Sequence, residues 1–204
     1  MAQVTHGLRK VLSHPLIYSG FQYLMGGRSA NDFFVQGHIR PEPGMKVLDI
    51  GCGPADILNY LPCVEYWGFD VSEIYIESAR TQFGARGNFV CKHLKHEDLA
   101  PLPRFDLVLA LGLIHHLDDS EALELFELAH QALRPGGRFV TIDPCLEQGQ
   151  NPLARFLIKN DRGQNVRSRA GYAALAESTF PDFSIEIRHK LWIPYTHCML
   201  ECKR

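Results

Sequence analysis

Residues 46–53 read Lys46-Val47-Leu48-Asp49-Ile50-Gly51-Cys52-Gly53, an apolar run that carries one acid and ends in two glycines separated by a single residue. Val47, Leu48 and Ile50 make a strand covered on both faces, as a central parallel strand must be. Glycine at 51 and 53 lets backbone groups approach a ligand closely at the strand's carboxyl end. A second apolar run, Tyr66-Trp67-Gly68-Phe69, ends in Asp70, 19 positions past Gly51. A carboxylate there is placed to accept hydrogen bonds from both hydroxyls of a ribose. The expected ligand therefore contains a nucleoside.

Outward from this stretch, strand and helix alternate, the pattern that gives a parallel sheet with right-handed crossovers. Predicted strands cover 46–51, 65–70, 88–93, 105–111 and 138–143, and predicted helices 54–61, 72–83 and 120–133. Ser72 is placed to cap the second helix, and Pro135-Gly136-Gly137 to end the third. Residues 151–160 and 168–178 read as helices around a polar turn, and 183–188 with 193–201 as two final strands. Ahead of the core, 8–25 and 30–38 carry apolar residues at helical spacing. A single domain is expected over 1–204, with a helical lid at 1–43 and a core at 44–144.

These residues resemble a known family. Val47-Leu48-Asp49-Ile50-Gly51-Cys52-Gly53, with Gly68-Phe69-Asp70-Val71-Ser72, resembles the first two motifs of class I S-adenosylmethionine-dependent methyltransferases. Phe105-Asp106-Leu107-Val108-Leu109 through Leu113-Ile114-His115-His116-Leu117 resembles that family's fourth strand and the turn after it. Ala132-Leu133-Arg134-Pro135-Gly136-Gly137-Arg138 resembles its approach to the fifth. The resemblance implies a Rossmann-like, doubly wound α/β fold: a mostly parallel seven-stranded sheet with an antiparallel last strand and an N-terminal helical lid. It implies S-adenosyl-L-methionine as cofactor, S-adenosyl-L-homocysteine as product, and acceptor-side elements in 145–204.

By the same resemblance, Gly51 and Gly53, with Cys52 between them, border the methionine part of the cofactor. Asp49 orients its ammonium group and Asp70 holds the ribose. Val71 packs on the adenine face, and Leu111 at the end of the fourth strand belongs to the cofactor site. Asp98 stands four residues before Leu102-Pro103, where the family often places an adenine contact. Helix capping is its alternative role, with Leu94 or its neighbours then meeting the adenine.

Methyl transfer is an in-line displacement, so orientation in a dry pocket supplies much of the catalysis. His115 and His116 stand where the fourth strand opens, and a neutral imidazole there is able to take a proton from a hydroxyl or amine. Packing near the cofactor is the plainer role for both. Adjacent histidines on a strand end point apart, which leaves one facing the pocket, and His115, His116, Asp118 and Asp119 form no metal-ligand set of recognised spacing. Arg155, Lys159, Arg162, Arg167 and Arg169 form a basic cluster, read either as a solvated face or, through Arg162 and Arg167, as a site for an anionic acceptor. Tyr23 in the lid, and Tyr195 and His197 on one face of the last strand, are further acceptor candidates.

Composition narrows the class. The chain has 204 residues, 21 Lys and Arg against 23 Asp and Glu, and a formal net charge of -2. That balance argues against nucleic acid as main partner, while the short length, without room for a separate RNA- or protein-recognition domain, tilts the expectation toward a small-molecule acceptor methylated on oxygen, nitrogen or carbon. The six cysteines contain no Cys-x-x-Cys pair, as expected of reduced structural thiols. No secretory signal or membrane-length apolar run is visible, so the expectation is a soluble cytoplasmic monomer or homodimer. An NAD-dependent oxidoreductase is disfavoured by Asp56, where the dinucleotide fingerprint wants glycine or alanine, and by the lack of a Tyr-x-x-x-Lys pair after the fourth strand. A non-catalytic cofactor-binding module that regulates a partner stays open.

Overall fold

The computed structural model describes residues 33–159, 163–190 and 195–204. Its strands are β1 (Lys46–Ile50), β2 (Glu65–Asp70), β3 (Asn88–Cys91), β4 (Phe105–Leu111), β5 (Leu133–Pro144), β6 (Asp182–Lys190) and β7 (Tyr195–Lys203). They form one sheet in the order β3-β2-β1-β4-β5-β7-β6. β1 to β5 run parallel, and β7 lies antiparallel to both β5 and β6, so the expected antiparallel last strand is present. The chain order reverses beside β1, which has β2 on one side and β4 on the other, and that opens a crevice at the strands' carboxyl ends.

The buried runs of β1 and β4 explain their central place. Val47, Leu48, Leu107, Val108, Leu109 and Ala110 are fully buried, and alternate residues feed two apolar layers. Helix α1 (Glu73–Phe83) packs Ile76, Ala79 and Phe83 into one layer. Helix α2 (Asp119–Ala132) fills the other, where Phe126 meets Phe139 edge-on at 5.2 Å. Helix α3 (Pro152–Lys159) lies against β7, and α4 (Arg169–Glu177) joins α2 in the second layer through Tyr172, Leu175 and Ala176.

Local departures from the predicted elements have local causes. The helix expected at 54–61 is a single 3₁₀ segment, Asp56–Tyr60, because Ala55 ahead of it adopts a left-handed conformation (φ +58°). Ser72 caps α1 as expected, whereas α2 begins one residue before Ser120 because Asp118 and Glu121 form a reciprocal capping box. Pro135-Gly136-Gly137 does not simply end α2; it is the bulged start of β5, where the register slips between Phe105 and Leu107. Gly137 is required there, since a Cβ would stand 3.0 Å from the carbonyl oxygens of Arg134 and Phe105.

Of the lid, Tyr23 and everything before residue 33 lie outside the described residues. Its last part contains a π-helical turn, Val35–Ile39, in place of a regular helix to residue 38. Arg138 on β5 donates to the carbonyls of His38 (2.7 Å) and Ile39 (2.6 Å), and Glu201 on β7 pairs with both Arg138 and Arg40. This turn is thereby strapped to the sheet.

Candidate active site

The glycine turn after β1 is built by the sequence's own constraints. Gly51 and Gly53 sit at φ +72° and +54°, where a side chain is strained. A Cβ on Gly51 would also stand 2.9 Å from a methyl of Leu113. The amides of Gly51 and Cys52 donate to the Phe69 carbonyl at 2.8 and 3.0 Å, tying the turn to β2. Asp70 completes the link: its two carboxylate oxygens accept the amides of Gly53 (2.9 Å) and Ser72 (2.8 Å). Each oxygen retains a further lone pair, so the carboxylate is fixed in place yet able to accept two more donors. Burial pushes its pKa above the ordinary carboxylate value, against the lowering effect of the Ser72 and Gly53 amides.

A cavity of about 440 Å³ opens over this turn. Gly51, Gly53 and Asp70 form one part of its wall, Val71, Ile74 and Leu94 another, and Leu111, Leu113 and His116 a third. Val71 is 51% exposed and Ile74 66% exposed. Two open aliphatic side chains beside a fixed carboxylate suit a flat aromatic ring carried on a sugar.

The other predicted cofactor residues fall elsewhere. Asp49 is 1% exposed and sits beneath the turn, outside the cavity wall, accepting the Tyr66 hydroxyl at 2.7 Å. Its second oxygen has no hydrogen-bond partner among the described residues, and burial raises its pKa to about 7. Cys52 likewise does not line the cavity; its sulfur faces Gly68, whose absent side chain makes room for it. Asp98 is also off the wall. It caps the 3₁₀ turn His96–Leu99 through the Lys95 amide (3.1 Å) and pairs with Lys92 at 2.5 Å, so the capping alternative describes its contacts and Leu94 takes the cavity position.

The two histidines depart from the strand-end geometry expected of them. They do not point apart, because Ile114–His116 is a 3₁₀ turn that brings their rings to 4.1 Å. His116 lines the cavity. His115 lies behind it, buried, with Nδ1 2.7 Å from Asp143 Oδ1 at the end of β5, and its own amide donates to the same oxygen at 3.1 Å. Sequence reasoning misses Asp143, and it misses the role of the Tyr66 hydroxyl. The signal available for Asp143 is the one that marks Asp49, an acid inside an apolar strand.

The acceptor candidates separate as well. Arg167 is not a free cation for an anionic acceptor: it bridges Asp119 at 2.7 Å and donates to the carbonyls of Ile114, Leu117 and Asn165 at 3.0 to 3.1 Å. It therefore clamps the turn that carries both histidines. Arg167→Ala is expected to cost about 2 to 4 kcal/mol in urea unfolding, because buried carbonyls lose charged donors. Asp119→Ala should cost under about 1 kcal/mol, since that partner is 86% exposed. Equal losses in the two variants would refute the clamp. Arg162 lies outside the described residues. Tyr195 and His197 pack ring to ring at 5.0 Å on β7, away from the wall of this cavity. Among the described residues, no three His, Cys, Asp or Glu side chains converge as metal ligands would, and no helix is long and apolar enough to cross a membrane.

Residues 48–139 match a family model described as a methyltransferase domain. The chain is 27% identical over 175 residues to phosphoethanolamine N-methyltransferase 1 of Zea mays, a match covering 82% of this chain and 34% of that protein. It is 35% identical over 104 residues to a ubiquinone biosynthesis O-methyltransferase of Mesorhizobium japonicum, covering 48% and 40%. The chain thus spans about a third of the maize relative's length. Its fold superposes with a TM-score of 0.72, at 16% identity, on Haemonchus contortus phosphoethanolamine N-methyltransferase 2 solved with phosphomonomethylethanolamine and S-adenosylhomocysteine. That superposition covers 97% of this chain and 59% of the nematode one. Over residues 48–139, which hold β1 to β4 and the start of β5, the chain is similar to methyltransferase domains.

Proposed function

We propose that the chain binds S-adenosyl-L-methionine in the cavity above Gly51 and moves its methyl group to a small-molecule acceptor. The observation that carries this reading is the glycine turn with Asp70 already fixed by two amides, at the crevice where strand order reverses. A cavity of about 440 Å³ is of ordinary size for such a ligand. In this reading Asp70 accepts the ribose hydroxyls, Val71 and Leu94 face the adenine, and the Gly51–Gly53 backbone borders the methionine part. When bound, the cofactor supplies an electrophilic methyl carbon on a positively charged sulfur. The protein's part is to hold the acceptor in line and keep water out. An anionic acceptor has less support than the sequence suggested, because Arg167 is committed to Asp119 and the turn carbonyls.

Calorimetric titration with S-adenosylmethionine, S-adenosylhomocysteine and NAD tests the cofactor. The first two are expected to bind with micromolar affinity and NAD not at all; tight binding of NAD alone would overturn the proposal. Methyl release from labelled cofactor across acceptors then separates an enzyme from a regulatory module, which would bind the cofactor and methylate nothing.

A further inference from the structure

Helix α3 turns an apolar face away from the sheet. Its start is fixed by Pro152 at the first position and by Asn151, whose side-chain oxygen accepts the Leu153 amide at 2.8 Å. Ala154 and Ile158 are its buried positions, and the helix lies against β7. At about 3.6 residues per turn, Phe156 then falls on the opposite side. Leu153 and the half-buried Leu157 stand on one flank of it, and Arg155 and Lys159, both exposed, on the other. Leu153 is 53% exposed and Phe156 63%. Large apolar side chains grouped on one surface mark a contact site, where scattered ones do not. The other exposed large apolar residues among those described have different settings. Val71 and Ile74 belong to the cavity, Phe33 lies under the Arg188 guanidinium at 3.7 Å, and Leu123 is a single residue on α2.

Charge selects the partner. Between Glu147 and Asp161 the sequence contains no acid, so the helix is basic in a chain whose net charge is -2. An aromatic and an aliphatic side chain bordered by two cations fit the boundary between anionic lipid headgroups and acyl chains. A protein partner fits less well. α3 has eight residues, about 12 Å of helix, whereas a specific protein interface covers about 800 Å² on each side.

We propose that α3 is a docking helix through which the chain rests reversibly on an anionic membrane surface. Phe156 and Leu153 enter the headgroup region to a depth of about 5 to 10 Å, while Arg155 and Lys159 extend their charged ends among the lipid phosphates. The helix lies in the plane of the surface and spans nothing; no helix among the described residues is long and apolar enough to cross a membrane. The buried stripe of Ala154 and Ile158 takes no part, so docking requires no unfolding. This inference stands independently of the cofactor reading.

Co-sedimentation of the full chain with two sets of vesicles tests the proposal, one of phosphatidylcholine alone and one with about a third phosphatidylserine. The wild type is expected to bind the anionic set roughly 30-fold more tightly, since each of two cations near such a surface contributes about a fivefold change. That preference should fall away at about 0.5 M salt. Arg155→Gln combined with Lys159→Gln should remove it, and Leu153→Ser combined with Phe156→Ser should weaken binding to both sets by about tenfold or more. Phe156→Trp supplies a gained signal that an unfolded variant would not imitate: the added emission should shift to the blue on anionic vesicles and be quenched by brominated lipid. A wild type that stays in solution beside anionic vesicles would overturn the proposal, as would basic-pair variants that bind as tightly as the wild type. A concentration-dependent rise in mass by light scattering, abolished by Phe156→Ser, would assign the face to a second copy of the chain and overturn the lipid reading as well.

Discussion

Asp70→Ala is expected to weaken S-adenosylmethionine binding by roughly 100- to 10,000-fold. Two charge-assisted hydrogen bonds to a ribose contribute about 1.5 to 3 kcal/mol each, and each 1.4 kcal/mol is a tenfold change in affinity. The variant also releases the amides of Gly53 and Ser72, so the glycine turn loses one of its ties to β2 and keeps those of Gly51 and Cys52 to the Phe69 carbonyl. Asp70→Asn separates the two contributions. Its amide oxygen is able to keep one of the two backbone amides, while its NH₂ group meets the other donor and no longer accepts from the ribose. Its affinity should fall nearly as far, with a smaller loss of thermal stability than in the alanine variant. Calorimetry on both, beside thermal unfolding without ligand, reads the difference. An alanine variant that binds within threefold of the wild type would remove Asp70 from the site.

Asp49 governs the second large effect, and its sign follows from burial. Its pKa is raised to about 7 in the folded chain against 3.8 unfolded, chiefly by desolvation, partly offset by the Tyr66 hydroxyl. The folded state therefore holds this proton more tightly than the unfolded one. Stability associated with the neutral carboxyl is fully present below about pH 4 and is lost as pH rises through about 7. The full difference is about 4 kcal/mol, from 1.36 kcal/mol per pKa unit. Asp49→Asn keeps an acceptor for Tyr66 and cannot ionise. Its stability advantage over the wild type is expected to grow between pH 5 and pH 8, measured by urea unfolding at several pH values. If Asp49 orients the cofactor's ammonium, the same variant binds S-adenosylmethionine more weakly, giving a protein that is sturdier and a poorer binder. A stability gap that stays flat from pH 5 to 8 would show that Asp49 is ionised throughout.

The parts of the molecule that the sequence made legible are those whose signal is local. β1, β2 and β4 are continuous apolar runs, and a largely buried run of that kind has few other destinations. Gly51 and Gly53 announce positive φ, and Asp70 announces itself by position at a strand end. The remainder depended on what lies across space. His115 and Asp143 are 28 positions apart and meet because the parallel register sets Leu111 beside Ile142, something no spacing rule contains. Arg167 looks in sequence like one cation in a basic run; its guanidinium is bound because the chain after α3 returns over the histidine turn. Asp98 satisfies a spacing pattern, yet Lys92 and the Lys95 amide already occupy its carboxylate. The histidine pair escapes prediction for a different reason: strand geometry stops one turn sooner than the apolar run suggests, at a 3₁₀ segment.

The antiparallel β7 has a consequence for how the chain reaches its folded state. Residues 48–139, which carry the family match, end on β5, and one edge of β5 is paired along Arg138 to Pro144 by β7, from Lys203 back to His197. During synthesis that edge stays bare until β7 has left the ribosome, presenting unpaired amides and carbonyls to any neighbouring chain. A nascent chain stalled or cut before residue 195 should therefore aggregate rather than fold into a smaller working unit. The piece of the protein easiest to recognise is, by itself, a sticky intermediate.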